Sequence, residues 1–494
     1  MTRGSAAPFD LAAAARALPA RTAVLDPADG ALSYAQLAQR VAATIAALRV
    51  VPAIAAAPDE PAPAVTYVDD RSLDALVLTH ALLAMGAPAA PLHPRWTAIE
   101  RDAFRGCLRA AMPTADVDPS VIAAAADGHV DATLPPAPVD DDRPLAILAT
   151  SGSQGVPKAV VLSRAAFAAA VAASARRLPW PDDAPGRWLL GLTLAHVGGL
   201  SIVLRCLAAR RTVVVRRGAF DAAAVRDFVA HHRVDRLSLV PTMLARLVDD
   251  GAAPPPSVAL VLLGGADAPA TLRRRAAARG WPVVATYGLT EACAQVATQP
   301  SSLRFAARPG CGPPLDGVAV RIDDDGTIAL RGPTRMRGYL GASGPGDLDD
   351  GCDADGWLRT SDLGRIDGEG HLHVLGRRDD VVISGGENVY PGEVEAAFLD
   401  HPAVAAICVV GVPDPTWGAR PAALIVPSDA AMRPAADTIA PAPDALVAQL
   451  DDHASTRLAS FKRPVRWWLT AALPTRGIGK LDRRAVAARL RVRA

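Results

Sequence analysis

Apolar and polar positions in the first 140 residues follow a helical period in two places. After Ser33, apolar residues recur at three- and four-residue spacing, at Leu37, Val41, Ile45 and Leu48. This pattern predicts an amphipathic helix that begins near Ser33. A second helix is predicted over residues 73–85, because Gly86 follows as a helix-ending residue and a proline-punctuated loop comes next. This part of the chain should alternate helices with short apolar strands.

The middle of the chain contains short, nearly continuous apolar runs separated by helical stretches. These runs are Leu145–Ala149, Thr212–Val215, Leu237–Val240, Leu260–Leu263 and Val283–Thr286. Continuous apolar runs are typical of strands that are buried on both faces, and helices between them favour parallel crossovers. An α/β architecture with parallel-rich sheets is therefore predicted.

The pattern changes after about residue 316 to short alternating segments broken by glycine and aspartate, such as 318–322 and 327–330. Such segments predict an antiparallel β subdomain. A charged cluster at 376–380 then separates two apolar strands, and a small α+β unit follows it. We therefore predict a large N-terminal domain over residues 1–376 and a small C-terminal domain over residues 377–494.

Composition narrows the function classes. The chain of 494 residues has a formal net charge of +1, so there is no basic surplus for a nucleic acid or an anionic membrane. Its apolar stretches are interrupted well before the roughly 20 residues that a membrane-spanning helix needs, and the N-terminus has no signal-peptide pattern. The six cysteines form no CxxC pair. Reduced thiols in a cytoplasmic protein are the simplest interpretation.

A loop rich in glycine and hydroxyl groups follows the first of the apolar runs. Its residues are Thr150, Ser151, Gly152, Ser153, Gln154, Gly155, Val156, Pro157 and Lys158. Backbone N–H groups in such a loop can wrap a polyphosphate, and Lys158 adds a positive charge. The spacing does not fit a Walker A motif. Taken alone, an ordinary surface loop is an equal alternative.

This loop resembles the S-G-T-T-G-x-P-K-G motif of the adenylate-forming superfamily, which comprises acyl-CoA synthetases, luciferases and peptide-synthetase adenylation domains. Further segments resemble the motifs of this superfamily in the same order; they are Gly264-Gly265-Ala266, Tyr287-Gly288-Leu289-Thr290-Glu291, Thr360-Ser361-Asp362-Leu363-Gly364, Gly376–Asp379, Ser384–Pro391 and Leu473–Leu481. The chain departs from the motifs at Ser153, Gln154, Ala159 and Ser361. The joint order over nearly the whole chain is what makes the resemblance specific.

The resemblance implies an ATP site. Its residues would be Thr150, Ser151, Gly152, Ser153, Gln154, Gly155, Lys158, Gly264, Gly265, Ala266, Tyr287, Gly288, Asp362 and Arg377. In the family the aromatic residue stacks on adenine, and Asp362 and Arg377 would bind the ribose hydroxyls. Thr290 would lie near the α-phosphate, and Glu291 would hold Mg²⁺, a cation that prefers carboxylate ligands. Each residue alone is more often a partly buried ring, a solvated acid or a turn aspartate.

The C-terminal unit would supply the remaining parts. The resemblance makes Asp379 the hinge of a mobile domain, and Gly385 and Gly386 a narrow passage for the pantetheine arm of coenzyme A. Lys480 would stabilise charge at the acid and the α-phosphate during adenylation. The implied catalytic set is Lys480, Glu291, Thr290 and His196.

The acyl-substrate residues are expected on the segment 192–205. This segment, with 262–269 and 287–297, most resembles the o-succinylbenzoate–CoA ligase branch of menaquinone synthesis. The acid would contact His196, Gly198, Ser201 and Arg205. Arg205 could pair with a second carboxylate. A structural histidine and a surface arginine are the alternatives.

We therefore predict a cytoplasmic, AMP-forming acid–CoA ligase that uses Mg²⁺, ATP and coenzyme A and binds no nucleic acid. A ligase for another aryl or fatty acid stays open, as does a non-catalytic relative that binds nucleotide or acyl-CoA. A homodimer also stays open.

Overall fold

The computed structural model describes residues 8–54, 62–126, 132–135, 142–150, 158–181, 183–266, 268, 270–341, 347–384, 387–398, 400–476 and 480–492. Its α-helices are α1 (Leu11–Ala17), α2 (Tyr34–Arg49), α3 (Leu73–Met85), α4 (Ala98–Ala111), α5 (Pro119–Ala126), α6 (Arg164–Arg177), α7 (Val197–Ala209), α8 (Ala222–His231), α9 (Pro241–Asp249), α10 (Ala270–Ala278), α11 (Pro391–Phe398), α12 (Asp444–Ser455) and α13 (Arg483–Arg491). Within the described residues, no helix combines the length and apolar character needed to cross a bilayer.

The strands are β1 (Thr22–Asp26), β2 (Gly30–Ser33), β3 (Ala64–Val68), β4 (Ala89–Leu92), β5 (Thr114–Asp116), β6 (Pro144–Thr150), β7 (Lys158–Ser163), β8 (Arg187–Leu190), β9 (Thr212–Val215), β10 (Arg236–Leu239), β11 (Leu260–Leu263), β12 (Val283–Tyr287), β13 (Ala297–Thr298), β14 (Ala319–Ile322), β15 (Thr327–Arg331), β16 (Gly338–Leu340), β17 (Leu348–Asp349), β18 (Leu358–Ile366), β19 (Leu372–Arg377), β20 (Val382–Ser384), β21 (Glu387–Val389), β22 (Val404–Asp414), β23 (Gly418–Pro427), β24 (Ile439–Pro441), β25 (Trp467–Thr470), β26 (Thr475–Arg476) and β27 (Lys480–Leu481).

The two helices expected near the N-terminus are confirmed, and their ends follow from local chemistry. Ser33 and Gln36 form a reciprocal capping box at the start of α2. Ser72 caps the N-terminus of α3, and Gly86 ends it in the left-handed region at φ 72°. A residue with a Cβ is strained there, so the chain leaves the helix at glycine.

Two sheets form the larger part of the molecule. The first has the order β13-β12-β11-β10-β8-β9-β1-β2, and the second has the order β17-β16-β7-β6-β4-β3-β5. Strands β10, β11 and β12 are parallel, with Ser238 beside Leu262 and Leu262 beside Val284. The predicted parallel strands are therefore confirmed in the first sheet, and the carboxyl ends of β11 and β12 meet at one edge.

The phosphate loop lies in a different setting from the one expected. A strand–loop–helix unit was predicted, but the described segment that follows the loop is another strand, β7, which pairs with β6 in antiparallel orientation. Thr150 pairs with Lys158 and Ala149 with Ala159 at the mouth of this hairpin. Residues 158–163 pair with β6 and are largely buried, so a second strand stands where the start of a helix was expected. Helix α6 begins only after that strand.

The antiparallel β structure predicted after residue 316 is confirmed as the sheet β14-β15-β18-β19. A further sheet contains only strands that follow residue 381, in the order β21-β20-β23-β25-β24, with β22 beside β23. It has an apolar core of its own that includes Phe398, Ile425 and Leu450. Residues 378–380 connect the two sheets as a short 3₁₀ turn.

Candidate active site

The edge formed by the ends of β11 and β12 requires glycine. A Cβ on Gly264 would lie 2.7 Å from Cγ2 of Thr286, and Gly265 has φ +80°. A Cβ on Gly288 would lie 1.4 Å from the carbonyl oxygen of Ala294, a position that no side chain can occupy. Side chains at Gly264 and Gly288 would collide with Thr286 and Ala294, so glycine lets the ends of β11 and β12 and the turn after β12 pack closely together.

Tyr287 and Asp362 meet across this edge. The Tyr287 hydroxyl donates to Oδ2 of Asp362 at 2.8 Å. Burial raises the pKa of the Tyr287 phenol well above its usual range, and the neighbouring carboxylate adds to the shift. The phenol thus stays protonated and continues to donate. The hydrogen bond joins the end of β12 to β18, two segments that are 75 residues apart in sequence.

Arg377 completes this group. It lies opposite Asp362 in the pairing of β18 with β19, and its Nε is 3.4 Å from Oδ1 of Asp362. Its guanidinium also donates to the hydroxyl of Ser361 at 2.5 Å. Ser361 stands where the family motif has glycine, and its side chain here supplies an acceptor for the arginine. The residues predicted to bind the ribose are therefore brought together.

Glu291 and Thr290 lie on a short 3₁₀ helix, Thr290–Ala292, directly after this edge. Oε1 of Glu291 accepts a hydrogen bond from the Tyr339 hydroxyl at 3.0 Å, and its carbonyl accepts from the N–H of Met336 at 2.8 Å. The described residues contain no cluster of three or more histidine, cysteine, aspartate or glutamate side chains able to hold a metal. A single half-buried carboxylate fits Mg²⁺, which commonly takes one or two carboxylates and completes its shell with substrate phosphates and water.

Lys158 begins β7 at the mouth of the phosphate loop and is exposed. Its Nζ lies 4.5 Å from the ring centroid of Tyr339. Residues 151–157, which include Ser151, Gly152, Ser153, Gln154 and Gly155, lie outside the described residues. The buried Ala159, another departure from the family motif, pairs with Ala149 as an ordinary strand residue.

His196 is the residue before α7, and its ring faces His93 at a centroid separation of 5.3 Å. Nδ1 of His93 accepts the N–H of Arg95 at 3.1 Å, which leaves its proton on Nε2. Burial lowers the pKa of His93 to about 4, so the ring is neutral near pH 7. His93 follows β4 and His196 follows β8, so the contact between the two rings links segments that follow strands of two different sheets.

The loop before His196 is held by a buried carboxylate. Oδ2 of Asp69 accepts the Thr193 hydroxyl at 2.6 Å and the N–H of Leu194 at 2.5 Å. Gly199 packs against the same loop, since a Cβ there would lie 2.1 Å from the Thr193 carbonyl oxygen. Gly198 is not constrained in this way, because a Cβ would only touch Leu192 at 3.4 Å.

Ser201 and Arg205 are buried on α7. The Ser201 hydroxyl has no hydrogen-bond partner in the described part of the chain. Arg205 donates to Oε1 of Gln295 at 2.8 Å and lies 5.4 Å from the Trp188 ring. Burial lowers the pKa of Arg205 to about 10, which still leaves the guanidinium charged at neutral pH. Arg205 is thus not the surface residue that the sequence left as an alternative.

The C-terminal candidates are only partly described. Asp379 lies in the connecting 3₁₀ turn, with an oxygen 4.0 Å from Arg484. Gly385 and Gly386 lie outside the described residues, and so does the side chain of Lys480. The backbone of Lys480 pairs with Arg476 in the hairpin of β26 and β27.

Three residues of this region lie outside every motif that was identified in the sequence. Tyr339 lies in a three-residue strand, His93 follows an apolar strand before a proline, and Asp69 precedes a helix. Their contacts join segments between 48 and 125 residues apart. The only sequence signal for His93 and Asp69 is their position, since each is a polar residue directly after a buried strand.

Comparison with known proteins gives consistent matches. A model of AMP-binding enzymes matches residues 11–340, and a model of their C-terminal domain matches residues 393–480. The 2-succinylbenzoate–CoA ligase of Bacillus subtilis is 33% identical over 75% of this chain and 73% of its own. The enzyme of the same name from Bacillus licheniformis is 36% identical over 69% of each chain.

Solved structures agree with these matches. The o-succinylbenzoate CoA synthetase of Bacillus subtilis, in complex with its acyl-adenylate intermediate, has a TM-score of 0.79 and 28% identity, covering 96% of this chain and 97% of that one. ATP-bound MatB from Rhodopseudomonas palustris has a TM-score of 0.82 and 25% identity, covering 98% and 99%.

Proposed function

Because the chain belongs to the family of AMP-binding enzymes, we propose that it is an ATP-dependent acid–CoA ligase acting on o-succinylbenzoate. The observation that carries the proposal is a continuous set of contacts at one edge. Asp362 meets Tyr287, Glu291 follows Tyr287 by four residues, and Tyr339 links Glu291 to Lys158. The candidate residues for binding the ribose, the metal and the phosphates therefore lie on one face of the site.

In the first half-reaction a carboxylate oxygen of the acid attacks the α-phosphorus of ATP, and the bond to pyrophosphate breaks. Tyr287 would stack on adenine beside Gly264, Gly265 and Ala266, and Asp362 would accept the ribose hydroxyls. Glu291 would hold Mg²⁺, which neutralises phosphate charge when bound. Thr290 and Lys480 would donate to the oxygens around the α-phosphorus, where negative charge develops.

In the second half-reaction the sulfur of coenzyme A attacks the acyl carbon, AMP leaves and the thiol proton is released. In this step the thiol must reach the carbonyl group beside which Lys480 would lie in the first half-reaction. We infer that the unit after residue 376 turns about Asp379 between the steps and presents Gly385 and Gly386 to the pantetheine arm. The division into residues 1–376 and 377–494 is part of this proposal.

The choice of acid rests on the relatives and on the buried end of the site. The sequence relatives named above are 2-succinylbenzoate–CoA ligases, whereas overall shape does not discriminate, since MatB has an equally high TM-score. A charged, buried Arg205 and the Ser201 hydroxyl suit an acid with a second carboxylate or a keto group. His196 and Gly198 would line the aromatic part.

Two further features belong to the proposal. The use of ATP and coenzyme A favours the cytoplasm as the compartment. A homodimer stays a prediction, to be checked by light scattering of the purified chain.

A panel of acids tests the proposed function. Purified protein is incubated with ATP, Mg²⁺ and coenzyme A together with o-succinylbenzoate, benzoates or fatty acids, and the CoA thioesters are measured. We expect the highest kcat/KM for o-succinylbenzoate. Preference for a monocarboxylate would favour another aryl- or fatty-acyl-CoA ligase, and absence of thioester and pyrophosphate with every acid would favour a non-catalytic nucleotide-binding relative.

A further inference from the structure

Tyr339 contacts two site residues that come from different segments of the chain. Its hydroxyl donates to Oε1 of Glu291 at 3.0 Å, and the Nζ of Lys158 lies 4.5 Å from its ring centroid. The face of the ring thus meets the ammonium group while its oxygen meets the carboxylate.

The backbone holds Tyr339 in this place independently of its side chain. Strand β16 runs antiparallel to β7, with Tyr339 opposite Val160. The N–H of Met336, just before β16, donates to the carbonyl of Glu291 at 2.8 Å. The main chain around Tyr339 is therefore bonded both to the strand that leaves the phosphate loop and to the turn that carries Glu291.

A spacer between these two charges has a physical purpose. An unrestrained lysine and glutamate at one cleft would attract each other, and a direct ion pair would occupy the groups that phosphate and metal need. The phenol satisfies one oxygen of the carboxylate and the cation at the same time. Its contact with the ammonium is a cation–π interaction, and the ammonium has three N–H donors, so Lys158 can donate to a phosphate while it stays against the ring.

We propose that Tyr339 is a positioning residue, which holds the Glu291 carboxylate and the Lys158 ammonium apart and in place for the metal and the polyphosphate of ATP. This proposal rests on the proposed function, because it assigns a role to Glu291 and Lys158 toward Mg·ATP.

Two substitutions separate the two contacts. Y339F keeps the ring and loses the hydrogen bond to Glu291, whereas Y339L loses both. The matched control is Y67F, which removes a buried tyrosine hydroxyl that bonds Thr79 at 2.6 Å elsewhere in the fold. Binding of ATP to the full chain is measured by calorimetry without acid, once in EDTA and once in Mg²⁺.

For Y339F we expect ATP binding in EDTA within twofold of wild type and roughly tenfold weaker binding in Mg²⁺, because one hydrogen bond to the charged Glu291 is lost. Y339L should also weaken binding in EDTA, by roughly threefold, because Lys158 loses its aromatic support. Y67F should match wild type in both buffers. Equal binding by Y339F and wild type in Mg²⁺ would overturn the proposal.

An E291Q background guards against a general folding defect. Lost positioning acts only while Glu291 is present, so Y339F should have no further effect in E291Q. A folding defect would weaken binding in both backgrounds and would contradict the proposal. If wild type itself binds no ATP, the proposed function fails; if wild type binds ATP and Y339F matches it, only the role of Tyr339 fails.

Discussion

The Tyr287 hydroxyl lies 2.8 Å from Oδ2 of Asp362, and this hydrogen bond fixes an aromatic face beside a carboxylate at the edge of two sheets. Arg377 approaches the other carboxylate oxygen at 3.4 Å. An adenine ring and a ribose need just these two neighbours, a flat apolar surface and an acceptor for two hydroxyl donors.

Asp362→Asn should selectively weaken the binding of ATP. Asparagine can still accept from Tyr287, but its amide offers one oxygen rather than two, and the negative charge is gone. Steady-state kinetics should show the KM for ATP raised about 10- to 100-fold, as expected for lost hydrogen bonds to a charged group. The exposed Asp324→Asn should leave KM unchanged; an unaltered KM in Asp362→Asn would remove this residue from the site.

Gly288→Ala should abolish adenylation. The added Cβ would lie 1.4 Å from the Ala294 carbonyl oxygen, so the turn that carries Thr290 and Glu291 has to move. Pyrophosphate release is expected to fall by at least about 100-fold, a scale typical of misplaced catalytic groups. Gly368→Ala is the matched control, because nothing lies within 4 Å of its Cβ position. Full activity in Gly288→Ala would show that this turn does not position the site.

Lys480→Ala should separate the two half-reactions. If Lys480 stabilises charge at the α-phosphate, its loss should suppress adenylate formation by roughly 100-fold or more. Thioester formation from a supplied acyl-adenylate should change far less, since pyrophosphate has already left. Rapid-quench measurement of the rate of each half-reaction tests this prediction. An equal loss of rate in both half-reactions would show that Lys480 does not act mainly in adenylate formation.

Stability should fall in mild acid because of a buried histidine. Burial lowers the pKa of His80 from 6.5 to about 4. Between these values the unfolded chain binds the proton more readily, so the free energy of unfolding decreases as pH falls, by up to about 3 kcal/mol for this group. His80→Phe should show a shallower decrease between pH 6.5 and 4 in denaturant titrations. A slope in His80→Phe identical to that of wild type would exclude His80 as the cause.

Local rules predicted much of the fold. Helix α3 was predicted with its stop at Gly86, and β11 was predicted from a run of four aliphatic residues; the structure adds the N-terminal cap of α3 at Ser72. Strand β7 was missed because its buried run directly follows the phosphate loop, where a helix was expected from the pattern of the neighbouring units. A hairpin depends on pairing with β6, and strand pairing is decided by the tertiary structure.

The candidate site could be predicted only in part for a similar reason. Motifs marked Tyr287, Glu291 and Asp362, because each carries chemistry at a recognisable spacing. The Tyr339–Glu291 and Asp69–Leu194 hydrogen bonds join residues 48 and 125 positions apart, which no local spacing encodes. Arg205 was identified as a candidate, but its burial beside Gln295 needed the packed structure.

The central claim is that one cleft forms an acyl-adenylate, and direct detection of that intermediate tests it most sharply. The protein is incubated with o-succinylbenzoate, ATP and Mg²⁺ without coenzyme A, quenched in acid and analysed by mass spectrometry. We predict enzyme-bound acyl-adenylate and an equal amount of pyrophosphate, which convert to thioester and AMP when coenzyme A is added. Release of ADP with an acyl phosphate, or thioester formation with no adenylate at any time, would contradict the account.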